Sequence, residues 1–184
     1  MNNKEFIAGL SLTFTKNNVN QLSAFVLEAD FPLNDLIDLT FHEERKIGFH
    51  AAWVLETVFL MKPLVLVPHL AYFIQRFPEQ RNPSARRHFA KIAAVFSAPK
   101  TALLLEKKLE GLELDQLIEA LFSWLIDEKV AVAVKVQSMQ ALANLSGRYL
   151  WVREELLETL KFFSDRERKA FFSRSKQIQK LLSK

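Results

Sequence analysis

Between Glu43 and Phe77 apolar residues fall at helical spacing twice over, and a proline separates the two runs. The first run is Ile47, Ala51, Val54, Leu55 and Val58; the second is Leu66, Leu70, Phe73, Ile74 and Phe77. This rhythm puts each set on one face of a 3.6-residue helix. Lys62-Pro63 lies between them. Proline lacks a backbone N–H and clashes with the preceding turn, so it ends one helix and can open the next. Two amphipathic helices folded back on each other are therefore expected over 43–77. Pro68 falls inside the second run and leaves two readings open: the helix starts there, or it is kinked there.

The same unit recurs. Leu55, Ile92, Leu142 and Ile178 occupy equivalent places at steps of 37, 50 and 36 residues, as do Val58, Val95, Leu145 and Leu181. The long step is accounted for by one extra short helix over 101–111. Two helices per unit at this period is the signature of a stacked helical solenoid, in which each unit buries its apolar face only against its neighbours. An irregular helical bundle is the competing architecture.

Taken in order, residues 1–16 are poorly determined, with Phe6, Ile7 and Leu10 suited to a short docking helix. Residues 17–41 read as a degenerate first pair. Asn17 or Asn18 caps a helix with Leu22, Phe25, Val26 and Ala29 inward, and Leu33 to Phe41 forms a second with Leu33, Leu36, Ile37 and Thr40 on one side. Pair two spans 43–77. Pair three spans 82–126 and opens on Asn82-Pro83, a capping side chain followed by a proline suited to the first turn. Its extra helix, 101–111, stops at Gly111, and Leu114, Leu117, Ile118, Leu121, Phe122 and Leu125 share one face of its partner helix. Pair four spans 129–163. A terminal basic helix occupies 164–184, opened by Ser164 and Glu167 as a capping box, with Phe171, Phe172, Ser175, Ile178, Leu181 and Leu182 as its apolar stripe.

AAWVLETV (51–58), PSARRHFAKIAAV (83–95) and VAVKVQSMQALANL (132–145) resemble HEAT-like repeats of the armadillo-type α-α superhelix. The resemblance implies a single all-α domain over 1–184, an α-α superhelix of about four stacked helix pairs with a basic C-terminal helix. It speaks to architecture and is nearly silent on activity.

Composition narrows the function classes. There is no cysteine, which removes disulfides, thiolate metal sites and cysteine nucleophiles. Four scattered glycines cannot make a phosphate-cradling loop. The N-terminal stretch lacks a signal-type apolar core and no run reaches a membrane span, so a cytoplasmic protein without integral membrane association is expected. The net charge of +4 is concentrated: Arg166 to Lys184 carries seven Lys/Arg against Glu167 alone. That helix reads either as a cap on the last repeat or as a binding element for an acidic partner, nucleic acid or membrane.

Candidate sites are few. His50, His69 and His88 are spaced by 19 residues, which puts them on successive helices; with His42 they show no HExxH pattern. No metal ligand, catalytic residue or cofactor site is expected. Some HEAT-like proteins are DNA glycosylases for alkylated bases and use tryptophans beside a carboxylate. By that resemblance Trp124 with Asp127, and Trp151 with Arg148, are the residues to examine, an aromatic and a carboxylate together suiting a cationic base. Charge argues against it. In HEAT-like superhelices the second helix of each pair usually lines the concave side, and here those helices (64–77, 113–126 and 152–163) sum to −3. A nucleic-acid groove should be positive. A non-enzymatic protein-interaction scaffold is expected, with a nucleic-acid-binding protein, including a glycosylase, as the alternative; oligomeric state is not legible.

Overall fold

The computed structural model describes residues 3–12, 15–29, 31–101, 111–163 and 169–183. Among the described residues the regular structure is entirely helical, with no strand. The chain divides into two compact units, residues 1–89 and 90–184.

The first unit holds α1 (Asn3–Ser11), α2 (Lys16–Glu28), α3 (Leu33–Leu39), α4 (Arg45–Met61) and α5 (Leu70–Arg76). Helix α6 (Pro83–Phe96) supplies its first turns to this unit and its later turns to the other. The centre is α4, against which α1, α2 and α3 all pack. Its stripe of Ala51, Val54, Leu55 and Val58 is buried, as the periodicity requires. Phe6 and Leu10 bury α1 on this core, and Phe6 meets the rings of Phe25 and Phe31.

Local chemistry sets the boundaries, with several departures from expectation. The cap of α2 is Thr15, ahead of either asparagine: its Oγ1 accepts from the Asn18 N–H while Asn18 Oδ1 accepts from the Thr15 N–H. Asparagine here plays the returning role usually given to Glu or Gln. Ala29 follows the helix as C-cap and is exposed instead of inward. α3 ends at Leu39, two residues early, and Thr40 Oγ1 donates to the Ile37 carbonyl at 2.6 Å. Neither reading of Pro68 survives intact. Residues Pro63–His69 wind as a 3₁₀-helix that contains Pro68, and α-helix begins only at Leu70. A proline at 68 removes an N–H and clashes with the carbonyl four residues back, so α-winding cannot extend upstream through it. The buried stripe of Leu66, Leu70, Phe73, Ile74 and Phe77 is nonetheless as expected. Asn82 caps α6, its Oδ1 accepting from the N–H groups of Ser84 and Ala85.

The second unit holds the later turns of α6, α7 (Asp115–Ile126), α8 (Val132–Leu145), α9 (Leu150–Phe163) and α10 (Lys169–Leu182). Here α8 is central, packed by α7, α9 and α10. Leu142 is fully buried, as are its register mates Leu55 and Ile92, with Ile178 at 2% exposure. A polar chain crosses this unit. Arg174 donates to Gln140 Oε1, Gln140 Nε2 to Asn144 Oδ1, and Asn144 Nδ2 to the Ala94 carbonyl and Ser97 Oγ.

The stripe of α10 is narrower than the sequence pattern suggests. Phe171, Ser175, Ile178 and Leu182 are buried, whereas Phe172 and Leu181 are exposed. Steps of four, three and four residues keep the buried four on one helix face, and Phe172 and Leu181 lie to either side of it. Gly111 takes a φ of 84°, left-handed backbone that suits glycine at the stop expected there. The rest of the extra helix, 102–110, and the Ser164–Glu167 capping box lie outside the described residues.

Candidate functional site

The histidines are separate. His42 Nδ1 accepts from the Glu44 N–H at 3.0 Å, His50 Nδ1 donates to the Leu10 carbonyl at 2.6 Å, and His69 Nδ1 meets Asn34 Oδ1 at 2.8 Å. His88 Nδ1 lies 2.5 Å from Glu56 Oε2, with the ring stacked on Trp53 and tilted against Phe49. This last pair joins α4 to α6, with His88 5% exposed and Glu56 half-buried. Among the described residues no three His, Asp or Glu side chains gather as a metal site would require. His50 is also buried, and that burial holds its pKa below the ordinary 6.5; the hydrogen bond to Leu10 opposes the shift and the charge of Lys46 adds to it.

A cavity of about 550 Å³ opens in the first unit beside α3. Ile7, Phe31, Leu39 and Phe41 form apolar walls, and exposed Asp35, Asp38, His42 and Glu43 stand around them. Asp38 is already engaged. Tyr72 donates to it at 2.5 Å, Arg76 approaches to 3.8 Å, and the Arg76 guanidinium also sits 4.3 Å from the centre of the Phe41 ring. Donation to Asp38 is the main reason the Tyr72 pKa is raised above its ordinary 10.

The residues suggested by the glycosylase resemblance differ in their surroundings. Trp124 is 4% exposed and belongs to the buried face of α7. Asp127 is the C-cap of that helix, its Oδ1 accepting from the Lys129 N–H at 2.9 Å. Arg148 lies over the Tyr149 ring. Trp151 alone is a surface aromatic, 45% exposed, and its ring stacks on Phe122 with centroids 6.1 Å apart.

That stack joins two exposed helix faces. On α7, Asp115, Glu119, Phe122 and Ile126 follow steps of four, three and four residues, and so do Trp151, Glu155, Glu158 and Phe162 on α9. All are exposed except Phe122, which is half-buried. The opposite faces carry the core residues Leu117, Ile118, Leu121 and Leu125, and Val152, Leu156 and Leu160. The result is a surface with four carboxylates, no Lys or Arg within either stripe, and apolar groups of which Ile126 and Phe162 are 50% and 59% exposed.

Sequence reasoning placed Phe122 in the core and read Trp151 only as a base-binding residue. It also passed over Lys135, which is 1% exposed with its Nζ 5.7 Å from the centre of the Phe163 ring.

Among the described residues no single helix is long and apolar enough to cross a membrane; α4 and Pro63–Glu79 reach that length only together, across a 118° bend. Paired amphipathic helices around a central helix in each unit define a helical repeat architecture. The family model for the HEAT repeat domain matches residues 6–180. The chain belongs to that family, and its fold is the HEAT-like all-α fold. Comparison with curated proteins and with solved structures gives no match.

Proposed function

We propose that this protein is a non-enzymatic protein-interaction scaffold and that its binding surface is the exposed face of α7 and α9. The stack of exposed Trp151 on half-buried Phe122 carries the reading. Aromatic groups anchored in a frame of carboxylates resemble the centre and rim of a protein interface, where Trp and Tyr supply most of the binding energy and charges set orientation. The same carboxylates disfavour a nucleic-acid backbone.

A random peptide-display selection against the full chain, repeated with Trp151→Ala and Phe122→Ala, tests it. Peptides whose binding is lost in both variants support the surface. Selected peptides indifferent to both would remove it. Fluorescence anisotropy with labelled duplex and single-stranded DNA at physiological salt runs in parallel. Micromolar DNA binding that needs Trp151 would replace the protein partner with nucleic acid.

A further inference from the structure

We infer that the partner segment for the α7/α9 face is a basic amphipathic α-helix, an inference that rests on the interaction reading above. Three observations select this chemistry. The first is charge. Glu155 and Glu158 lie between Trp151 and Phe162 on one face of α9, and every ionised group of both stripes is a carboxylate. The nearest base in sequence, Lys161, is three residues from Glu158 and borders the stripe without lying in it. An acidic or neutral segment would leave these carboxylates crowded and partly desolvated, whereas lysine or arginine would pair with them.

The second observation is spacing. Trp151 and Phe162 are eleven residues apart on α9. At 1.5 Å per residue they stand about 16 Å apart along the axis. A helix lying along α9 covers that length in three turns, with apolar residues at its first and twelfth positions and basic residues at its fifth and eighth. Phe122 and Ile126, joined to this row through the Trp151 stack, give the partner's apolar edge a second place to rest.

The third concerns the backbone. This surface is made of helices, whose main-chain groups are satisfied internally, so it has no strand edge to add to. An extended peptide pressed onto it would lose water from its own N–H and C=O groups without gaining partners for them. A helical peptide brings its backbone already paired.

The probe is a labelled, helix-favouring peptide with Leu and Phe at the two apolar positions and Arg at the two basic ones, titrated by anisotropy into the full chain. Companion peptides scramble the spacing, exchange Arg for Glu, or place proline at the centre. The wild-type protein should bind the first peptide and lose it progressively as salt rises. Trp151→Ala should weaken binding by about tenfold or more. The Glu155→Lys, Glu158→Lys variant should lose the basic peptide and gain the Glu peptide, a swap that a misfolded variant could not produce.

Equal binding of the scrambled or proline peptide overturns the helix. Indifference to charge reversal overturns the basic partner. A display-selected neutral or acidic peptide that requires Trp151 would sink this inference and leave the interaction surface standing. If neither selected nor designed peptides need Trp151, the surface itself is wrong. Trp151-dependent self-association in sedimentation velocity, with no peptide binding, would assign the face to a second copy and also overturn the inference.

Discussion

Replacing Gly48 with alanine sets two effects of opposite sign against each other. Gly48 lies within α4, and at an open position in a helix the change would stabilise by roughly 1 kcal/mol, because glycine loses the most backbone entropy on folding. Here the added Cβ would sit 2.8 Å from the Thr40 carbonyl oxygen and 3.4 Å from Asn82 Nδ2. The carbonyl belongs to backbone and cannot swing aside. It also accepts from Gln80 Nε2 at 3.2 Å, and Gln80 is 1% exposed. Opening the contact pulls this bond apart, and a buried polar group left unpaired costs about 1–3 kcal/mol. Steric displacement of a packed turn costs a similar amount, about 1–3 kcal/mol. Cost exceeds gain, and Gly48→Ala should destabilise by about 1–5 kcal/mol. Equilibrium urea unfolding followed by circular dichroism and tryptophan fluorescence measures this. A Gly48→Ala, Gln80→Ala double variant should lose less than the sum of its parts, since both changes break the same bond. Stabilisation of about 0.5 kcal/mol or more by Gly48→Ala would refute the close approach of α4 to this turn.

Three further outcomes follow from other sites. Leu142→Ala, at a fully buried position of α8, should cost about 2–5 kcal/mol in the same unfolding assay, and a cost under about 0.5 kcal/mol would break the repeat register. His50 has a folded-state pKa below its unfolded value, so its neutral form is the one that folding favours; stability should be full above about pH 6.5 and decline as pH falls below it. His50→Gln should flatten that part of the urea-midpoint profile, and an unchanged slope would exclude His50 as its source. Tyr72 should ionise above its ordinary range in an ultraviolet titration, with Tyr149 as the one other tyrosine to separate. Asp38→Ala should bring Tyr72 down, and an unmoved transition would show that the hydrogen bond is not the cause.

The repeat itself was legible because burial obeys period. Leu55, Ile92 and Leu142 are fully buried because each stands in the apolar row of its own helix. Caps were legible where one residue type had no rival, as at Asn82. They were misread where Thr15, Asn17 and Asn18 compete within four residues and a reciprocal pair decides between them. The proposed binding surface was not legible. Phe122 follows Leu121 and precedes Leu125 by three, so it lies at the edge of the apolar row, and only tertiary neighbours determine on which side of the water boundary an edge residue falls. Phe172 and Leu181 fail for the same reason. Lys135 did leave a signal: it precedes Ser138 by three and Leu142 by seven, within the buried row. Its charge sets it apart from the apolar residues of that row, whereas its long apolar stem lets it lie in the packed interior.

The side-chain bonds running from Arg174 through Gln140 and Asn144 to Ala94 all point one way. Every donor lies on the α10 side of its bond and every acceptor toward α6. An amide carries its donor and acceptor at opposite ends, so each link dictates the orientation of the next. The row therefore acts as a polarity code for helix alignment. If α10 slid by one turn along α8, about 5.4 Å, the guanidinium would lose its amide oxygen. Apolar rows tolerate such slips, because one leucine replaces another at little cost. The chain of amides does not, which assigns the choice of register in this unit to its polar residues and leaves the strength of the packing to its apolar ones.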